Sequence, residues 1–272
     1  MTPETFTIGG DLEVRRLGFG AMRLSTARTP AERENALQVL RRAPELGVNL
    51  VDTAHAYVRD EVNERQISAA LHPYPKGLVI ATKGGLRTGG SRDGRPDVLR
   101  ANCEQSLQQL RLERIDLYQL HAPDPAVPIE DSVGELARLR DEGKVRHVGL
   151  SNVSLELLDR ARTIVPIVSV QNRYNLADRS SEDVLERCER EGIAFLPWFP
   201  LAVGRLADLR GPLARVAREK GATRAQVALA WLMHRSPVML PIPGTASLEH
   251  LEENVASSLI ELSHEDIAAL AS

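Results

Sequence analysis

The sequence predicts a (β/α)8 TIM barrel with an N-terminal β-hairpin, a single domain over residues 1–272. Three observations predict it. Eight short runs rich in Val, Ile and Leu alternate with amphipathic stretches, as expected for parallel strands buried on both faces and covered by helices. The polar residues of those runs gather at one end, where a barrel keeps its reactive groups. The length of 272 residues also suits eight strand–helix units, which take roughly 250. A doubly wound open sheet would carry a glycine-rich loop after its first strand. Here Gly18 and Gly20 lie inside the first run, and a third glycine is missing.

Residues 6–14 read as a hairpin turning at Gly9-Gly10-Asp11, placed to plug the barrel bottom. Strands are expected at 17–22, 48–53, 78–83, 115–121, 145–151, 167–171, 194–199 and 238–242. Helical periodicity fills the intervals. Residues 31–46 put Ala36, Leu37, Leu40 and Ala43 on one stripe, and 97–112 do so with Leu99, Cys103, Leu107 and Leu110. Stretches 132–141 and 155–164 follow the same pattern, and 263–270 is the last helix. Gly47, Gly143 and Gly192 stand just after helices, where a left-handed residue ends the coil. Ser181 and Thr223 stand where N-caps are wanted.

Composition narrows the function. The 34 basic and 37 acidic residues nearly cancel, which argues against a nucleic-acid binder. No apolar run reaches the ~18 residues of a membrane span, and the N-terminus has no basic region followed by an apolar one. The two cysteines, Cys103 and Cys188, fall in helical segments, too few and too far apart for a disulfide framework or a metal motif. A reducing, cytoplasmic setting is expected, with no metal.

The strand ends carry the chemistry. Asp52, Lys83 and His121 end the second, third and fourth strands; Ser151 and Asn152 the fifth; Gln171 and Asn172 the sixth. Trp198 lies near the end of the seventh, and Pro243-Gly244-Thr245 follows the eighth. Singly, Asp52 is equally a turn cap, His121 a structural histidine and Tyr57 a packing residue. Lys83 is harder to dismiss: it ends an apolar run in a chain with few lysines, and buried it needs a partner such as Asp52. Together the four make sense. A free tyrosine, with a pKa near 10, is a poor acid at neutral pH. A neighbouring ammonium is expected to lower that pKa, a carboxylate to hold the ammonium, and a histidine to hydrogen-bond a carbonyl oxygen. That set suits protonation of an oxygen that becomes an alkoxide.

These stretches resemble the aldo-keto reductase family: Val-Asp-Thr-Ala-His-Ala-Tyr (51–57), Ala-Thr-Lys-Gly-Gly (81–85), Asp-Leu-Tyr-Gln-Leu-His (116–121), Gly-Leu-Ser-Asn (149–152), Val-Gln-Asn-Arg-Tyr-Asn (170–175), Gln-Val-Ala-Leu-Ala-Trp (226–231) and Ile-Pro-Gly-Thr (242–245). They cover nearly the whole chain in order. Pro-Trp-Phe-Pro-Leu (197–201) is similar to small bacterial members of the pyridoxal-reductase type. The resemblance implies an oxidoreductase that reduces aldehydes and ketones with NADPH, bound across the rim without a Rossmann domain. It implies Tyr57 as proton donor, Lys83 and Asp52 as the pair that tunes it, and His121 as the group orienting the carbonyl. Ser151, Asn152 and Gln171 match the groups holding the nicotinamide carboxamide, and Trp198 the aromatic under that ring. Gly20, Met22, Pro200 and Leu201 complete the cofactor groove. Gly244, Thr245, Ser247 and His250 match the 2′-phosphate region, at a helix N-terminus suited to phosphate. Glu253 and Asn254 match residues at the adenine.

Three departures stand out. Val58 follows the tyrosine where many relatives have glycine. Gly244 and His250 replace cations common in NADPH-specific relatives, so NADH is an alternative cofactor. The sequence ends soon after the last helix, so a long C-terminal substrate loop is expected to be absent and the pocket open. Pocket walls are expected from Met22, Leu24, His55, Ala122, Pro123, Trp198 and Phe199, which suit compact apolar aldehydes. The stretch 84–96, with Arg87, Arg92 and Arg95, reads as a mobile solvated loop; closure over an anionic substrate is the alternative. The expected partner is a small carbonyl substrate, with no nucleic acid or membrane, and the expected state is a monomer. Two other functions fit the same residues: a cofactor-sensing regulatory barrel with slow turnover, and a barrel using Ile-Pro-Gly-Thr to hold a phosphorylated metabolite.

Overall fold

A computed structural model describes residues 4–60, 62–201 and 211–271. The chain opens with the expected hairpin. Strands β1 (Thr5–Ile8) and β2 (Leu12–Arg15) pair antiparallel, with Ile8 opposite Leu12 and Gly9 and Gly10 turning at positive φ. Alternation sends Ile8, Leu12 and Val14 inward, where they pack with Leu50, Val79, Leu117, Ala194, Leu196 and Leu240 from the barrel strands. The hairpin therefore closes the barrel foot. Asp11 at its tip accepts hydrogen bonds from Arg146 (2.8 Å) and His147 (2.6 Å).

Seven parallel strands follow in chain order: β3 (Phe19–Gly20), β4 (Leu50–Asp52), β5 (Val79–Gly84), β6 (Ile115–Leu120), β7 (Val145–Ser151), β8 (Ile167–Gln171) and β9 (Ala194–Phe195). The first is shorter than expected because the chain turns into a 3-10 helix at Met22–Thr26. The eighth expected strand, 238–242, forms no continuous ladder. Pro241 and Pro243 have no N–H, so only part of it pairs. Phe195 N donates to Val238 O (2.8 Å) and Leu240 N to Phe195 O (2.8 Å) on one side. On the other, Gly18 and Gly20 donate to the carbonyls of Pro241 (2.9 Å) and Pro243 (3.3 Å). That segment joins β9 to β3 and closes the barrel.

The described helices are α1 (Pro30–Glu45), α2 (Asn63–Leu71), α3 (Pro96–Leu110), α4 (Ile129–Asp141), α5 (Leu155–Arg162), α6 (Glu182–Glu191), α7 (Pro212–Glu219), α8 (Arg224–Arg235), α9 (Leu248–Ala256) and α10 (His264–Ala271). Thr29 with Glu32 and Thr223 with Gln226 form capping boxes for α1 and α8. Ser181 precedes α6 as expected, but its hydroxyl makes no cap; it accepts instead from Asn172 Nδ2 at 3.3 Å. Gly47, Gly143 and Gly192 all take positive φ after their helices. Helix α3 stops two residues before its expected end, because Arg111 adopts the left-handed conformation (φ 54°). Both cysteines are free and buried. No described helix is long and apolar enough to cross a membrane.

Candidate active site

The C-terminal strand ends bring four groups together. Lys83, wholly buried at the end of β5, donates to Asp52 Oδ2 at the end of β4 (2.7 Å) and to Thr53 O (2.7 Å). Its Nζ lies 5.2 Å from the centre of the Tyr57 ring. The ring of His121, just past β6, meets the Tyr57 ring edge-on with centroids 5.7 Å apart. Register explains the convergence: β4 and β5 pair Asp52 with Ala81, so Lys83, two residues further along the neighbouring strand, reaches back to the carboxylate.

Burial sets the charge states. It pulls the Lys83 pKa down, but Asp52 and the Tyr57 phenol outweigh it, so the ammonium is held more firmly than usual. Burial raises the Tyr57 pKa, and the Lys83 charge only partly offsets it. The expectation of a lowered tyrosine pKa is therefore corrected: Tyr57 keeps its proton, and Lys83 limits the rise. Burial and the Lys83 charge push His121 down to about 3, so its imidazole is neutral. Its Nδ1 is buried with no protein partner.

A second ring of polar residues braces these four. Gln171, expected to face a carboxamide, donates through its amide nitrogen to Asp52 Oδ1 (2.8 Å), leaving Oε1 to receive a donor. Ser151 Oγ donates to Gln171 O (2.8 Å). Asn152, at φ 60°, donates to His121 O (2.9 Å) and Ser151 Oγ (3.0 Å), and accepts from Trp198 Nε1 (2.9 Å). Asn172 is turned away, bonded to both backbone groups of Val153. Phe199 has φ 62°, a conformation unusual for an aromatic residue and typical of strained functional loops. Arg173 lies over both Trp198 and Phe199, at 5.8 and 5.1 Å from their ring centres. Arg173 is a site residue not expected from the sequence, where its place two residues after Gln171 was the available signal.

The remaining expected residues separate. Leu24, expected on the pocket wall, is packed in the core with Phe19, Val39 and Ile67, because the 3-10 turn at Met22 rotates it inward. Met22 stays at the rim, half exposed. His55 Nε2 donates to Gln105 Oε1 on α3 (2.7 Å), drawing its ring outward. Ala122 is buried, while Pro123 lines a rim cleft. Val58 needs no positive φ: only Arg111, Asn152 and Phe199 have one among described non-glycine residues. Pro200 is buried and Leu201 is the last residue before 202–210, which lie outside the described residues.

Gly20 and Gly244 are explained by close approach. A Cβ on Gly244 would stand 2.5 Å from Gly20 O, and one on Gly20 would stand 2.7 Å from Ile242 O. Beyond them, Thr245 Oγ1 accepts from Ser247 N (3.0 Å) and Ser247 Oγ caps α9 through His250 N (3.3 Å). The amides of Leu248 and Glu249 keep no intrahelical acceptor. His250 is exposed, Glu253 half-buried and Asn254 buried. No group of three or more metal-ligating side chains occurs among the described residues.

This donor set fits a nicotinamide dinucleotide. Gln171 Oε1 can receive a carboxamide, the Trp198 face not covered by Arg173 can receive a ring, and the first turn of α9 can receive a phosphate.

An uncharacterized oxidoreductase of Schizosaccharomyces pombe is 47% identical over 268 residues, covering 96% of this chain and 87% of its own. The pyridoxine 4-dehydrogenase of Escherichia coli is 40% identical, covering 99% and 98%. The crystal structure of an aldo/keto reductase from Klebsiella pneumoniae in complex with NADP and acetate superposes with TM-score 0.86 at 29% identity, covering 98% of this chain and 94% of that one. The aldo/keto reductase family model matches residues 16–272, and the chain belongs to that family of oxidoreductases.

Proposed function

We propose that this protein reduces small aldehydes and ketones to alcohols with NADPH, using Tyr57 as the proton donor. One observation carries the reading: a wholly buried Lys83–Asp52 pair set beneath Tyr57, with neutral His121 facing the same phenol. Bound NADPH supplies a hydride to the carbonyl carbon. Tyr57 gives its proton to the carbonyl oxygen as charge develops there. Lys83, held by Asp52, stabilises the phenolate left behind. His121, being neutral, has one N–H to donate to that oxygen and thereby orients it. Gln171, Ser151 and Asn152 would hold the carboxamide, Trp198 the nicotinamide face, and the start of α9 the 2′-phosphate.

Pyridoxal-like and benzaldehyde-type substrates suit a rim bearing Trp198, Phe199 and His121. Among the described residues only Met22 and Leu259 are large exposed hydrophobics, which supports a monomer. Two free buried cysteines and a near-neutral charge are in keeping with a cytoplasmic enzyme.

The test is NADPH consumption at 340 nm over a panel of aldehydes, including pyridoxal and nitrobenzaldehydes, for wild type and Tyr57→Phe. Turnover should fall about 10²–10⁴-fold in the variant, with NADPH still bound by fluorescence. Undiminished turnover in Tyr57→Phe would assign the proton to another group.

A further inference from the structure

The loop after β5 holds three arginines, and the structure separates them. Asp93, almost fully buried, accepts from Arg87 Nε (3.0 Å) and Nη2 (2.5 Å) and from Arg95 Nε (2.8 Å) and Nη2 (3.1 Å). Those two guanidinium groups are spent on the loop itself. The loop is a small hairpin rather than a loose segment. Leu86 bridges Arg92, Arg87 N donates to Ser91 O (2.9 Å), and Asp93 N donates to Gly85 O (3.0 Å). Gly94 then ties it to the next loop through Asp124 Oδ2 (3.1 Å) and to α4 through Ser132 Oγ (2.6 Å).

Arg92 is left over. It is exposed, and its one described hydrogen bond runs from Nη1 to Pro123 O at 3.2 Å. It lines a cleft of about 610 Å³ together with Pro123, Asp124, Asn152 and Arg160, a size suited to a small ligand. Of the other charged residues there, Asp124 directs its two carboxylate oxygens at the Gly94 and Ala126 amides, and Arg160 pairs with Glu130. The cleft also adjoins the candidate site. Asn152 donates to His121 O, and Pro123 is two residues from His121, a span of at most about 7 Å.

We propose that Arg92 is a specificity residue that receives the carboxylate of an anionic carbonyl substrate whose C=O lies at Tyr57 and His121. This rests on the carbonyl-reductase reading above. A guanidinium presents parallel N–H groups that match a planar carboxylate, and the hairpin holds this one in place at the cleft mouth. Catalysis at the carbonyl is untouched; what Arg92 adds is binding of the distal group.

The experiment compares 4-carboxybenzaldehyde with 4-methylbenzaldehyde, of similar size, for wild type, Arg92→Gln and Arg92→Lys. We expect wild type to prefer the carboxylate. Arg92→Gln should lose roughly tenfold in kcat/KM for it, through KM, with the methyl compound and the KM for NADPH unmoved; Arg92→Lys should recover part. Raised salt should erode the preference, as for any exposed charge. Equal losses on both aldehydes, or none on either, overturn the proposal. Turnover of 4-methylbenzaldehyde without preference for the carboxylate sinks Arg92 alone. Turnover of neither aldehyde by wild type sinks the parent reading with it.

Discussion

Lys83 and Asp52 are charged and lie out of water, which is costly unless each satisfies the other. The pair, at 2.7 Å, is completed by Thr53 O and by the Gln171 amide, which leaves the third ammonium N–H for the Tyr57 phenol. Lys83→Met should therefore destabilise the fold by about 3–5 kcal/mol, by leaving a buried carboxylate without its cation. Asp52→Asn combined with Lys83→Met should restore most of that stability in urea unfolding while turnover stays low. If the double variant is no more stable than Lys83→Met, the pair is not the unit described. Lys83 was recognisable in the sequence, because a lysine ending an apolar run has few solvated explanations. The Gln171–Asp52 bond was not, because 119 residues separate its partners and only closure of the barrel sets them face to face.

At the scale of elements, α9 is the telling case. Its first turn provides free amides, but the helix LEHLEENVA holds Glu249, Glu252 and Glu253 and no lysine or arginine. Glu252 is paired with Arg42 of α1 at 2.9 Å, which ties up that cation as well. A 2′-phosphate would meet amides and the exposed His250 rather than a fixed positive charge. His250→Arg should add about 1 kcal/mol at such an exposed position, a roughly fivefold lower KM for NADPH with that for NADH unchanged. An equal fall for both cofactors would remove the phosphate from this helix. The same scale shows where periodicity misled. The first strand ends early in a 3-10 turn, so Leu24 joins the core instead of the pocket. The arginine loop, glycine-rich and polar in sequence, is folded as a hairpin because Asp93 gathers two of its charges.

Over the whole molecule, function depends on how the barrel closes. The hairpin fills the foot through Ile8, Leu12 and Val14, and the segment 238–243 meets both β9 and β3. Gly20 and Gly244 let that segment approach β3 closely. Gly244→Ala should cost about 1–3 kcal/mol, as overpacking does, and lower Tm by several degrees. Gly134→Ala, in open space on α4, should leave Tm unchanged or raise it. A Gly244→Ala protein as stable as wild type would show that the contact relaxes without cost.

Alternating apolar runs and helical stripes are local patterns, and the sequence by itself determined the barrel, its hairpin, its strand order and the end at which Asp52, Tyr57, Lys83 and His121 stand. Tertiary structure alone decided which of them share bonds, that burial outweighs Lys83 in setting the state of Tyr57, that Gln171 braces Asp52, and that Arg92 is the arginine left over in its loop. The reason is physical. Periodicity follows from the backbone repeat within one element, whereas charge state and pairing depend on desolvation and on neighbours that only the closed barrel brings within a few ångströms.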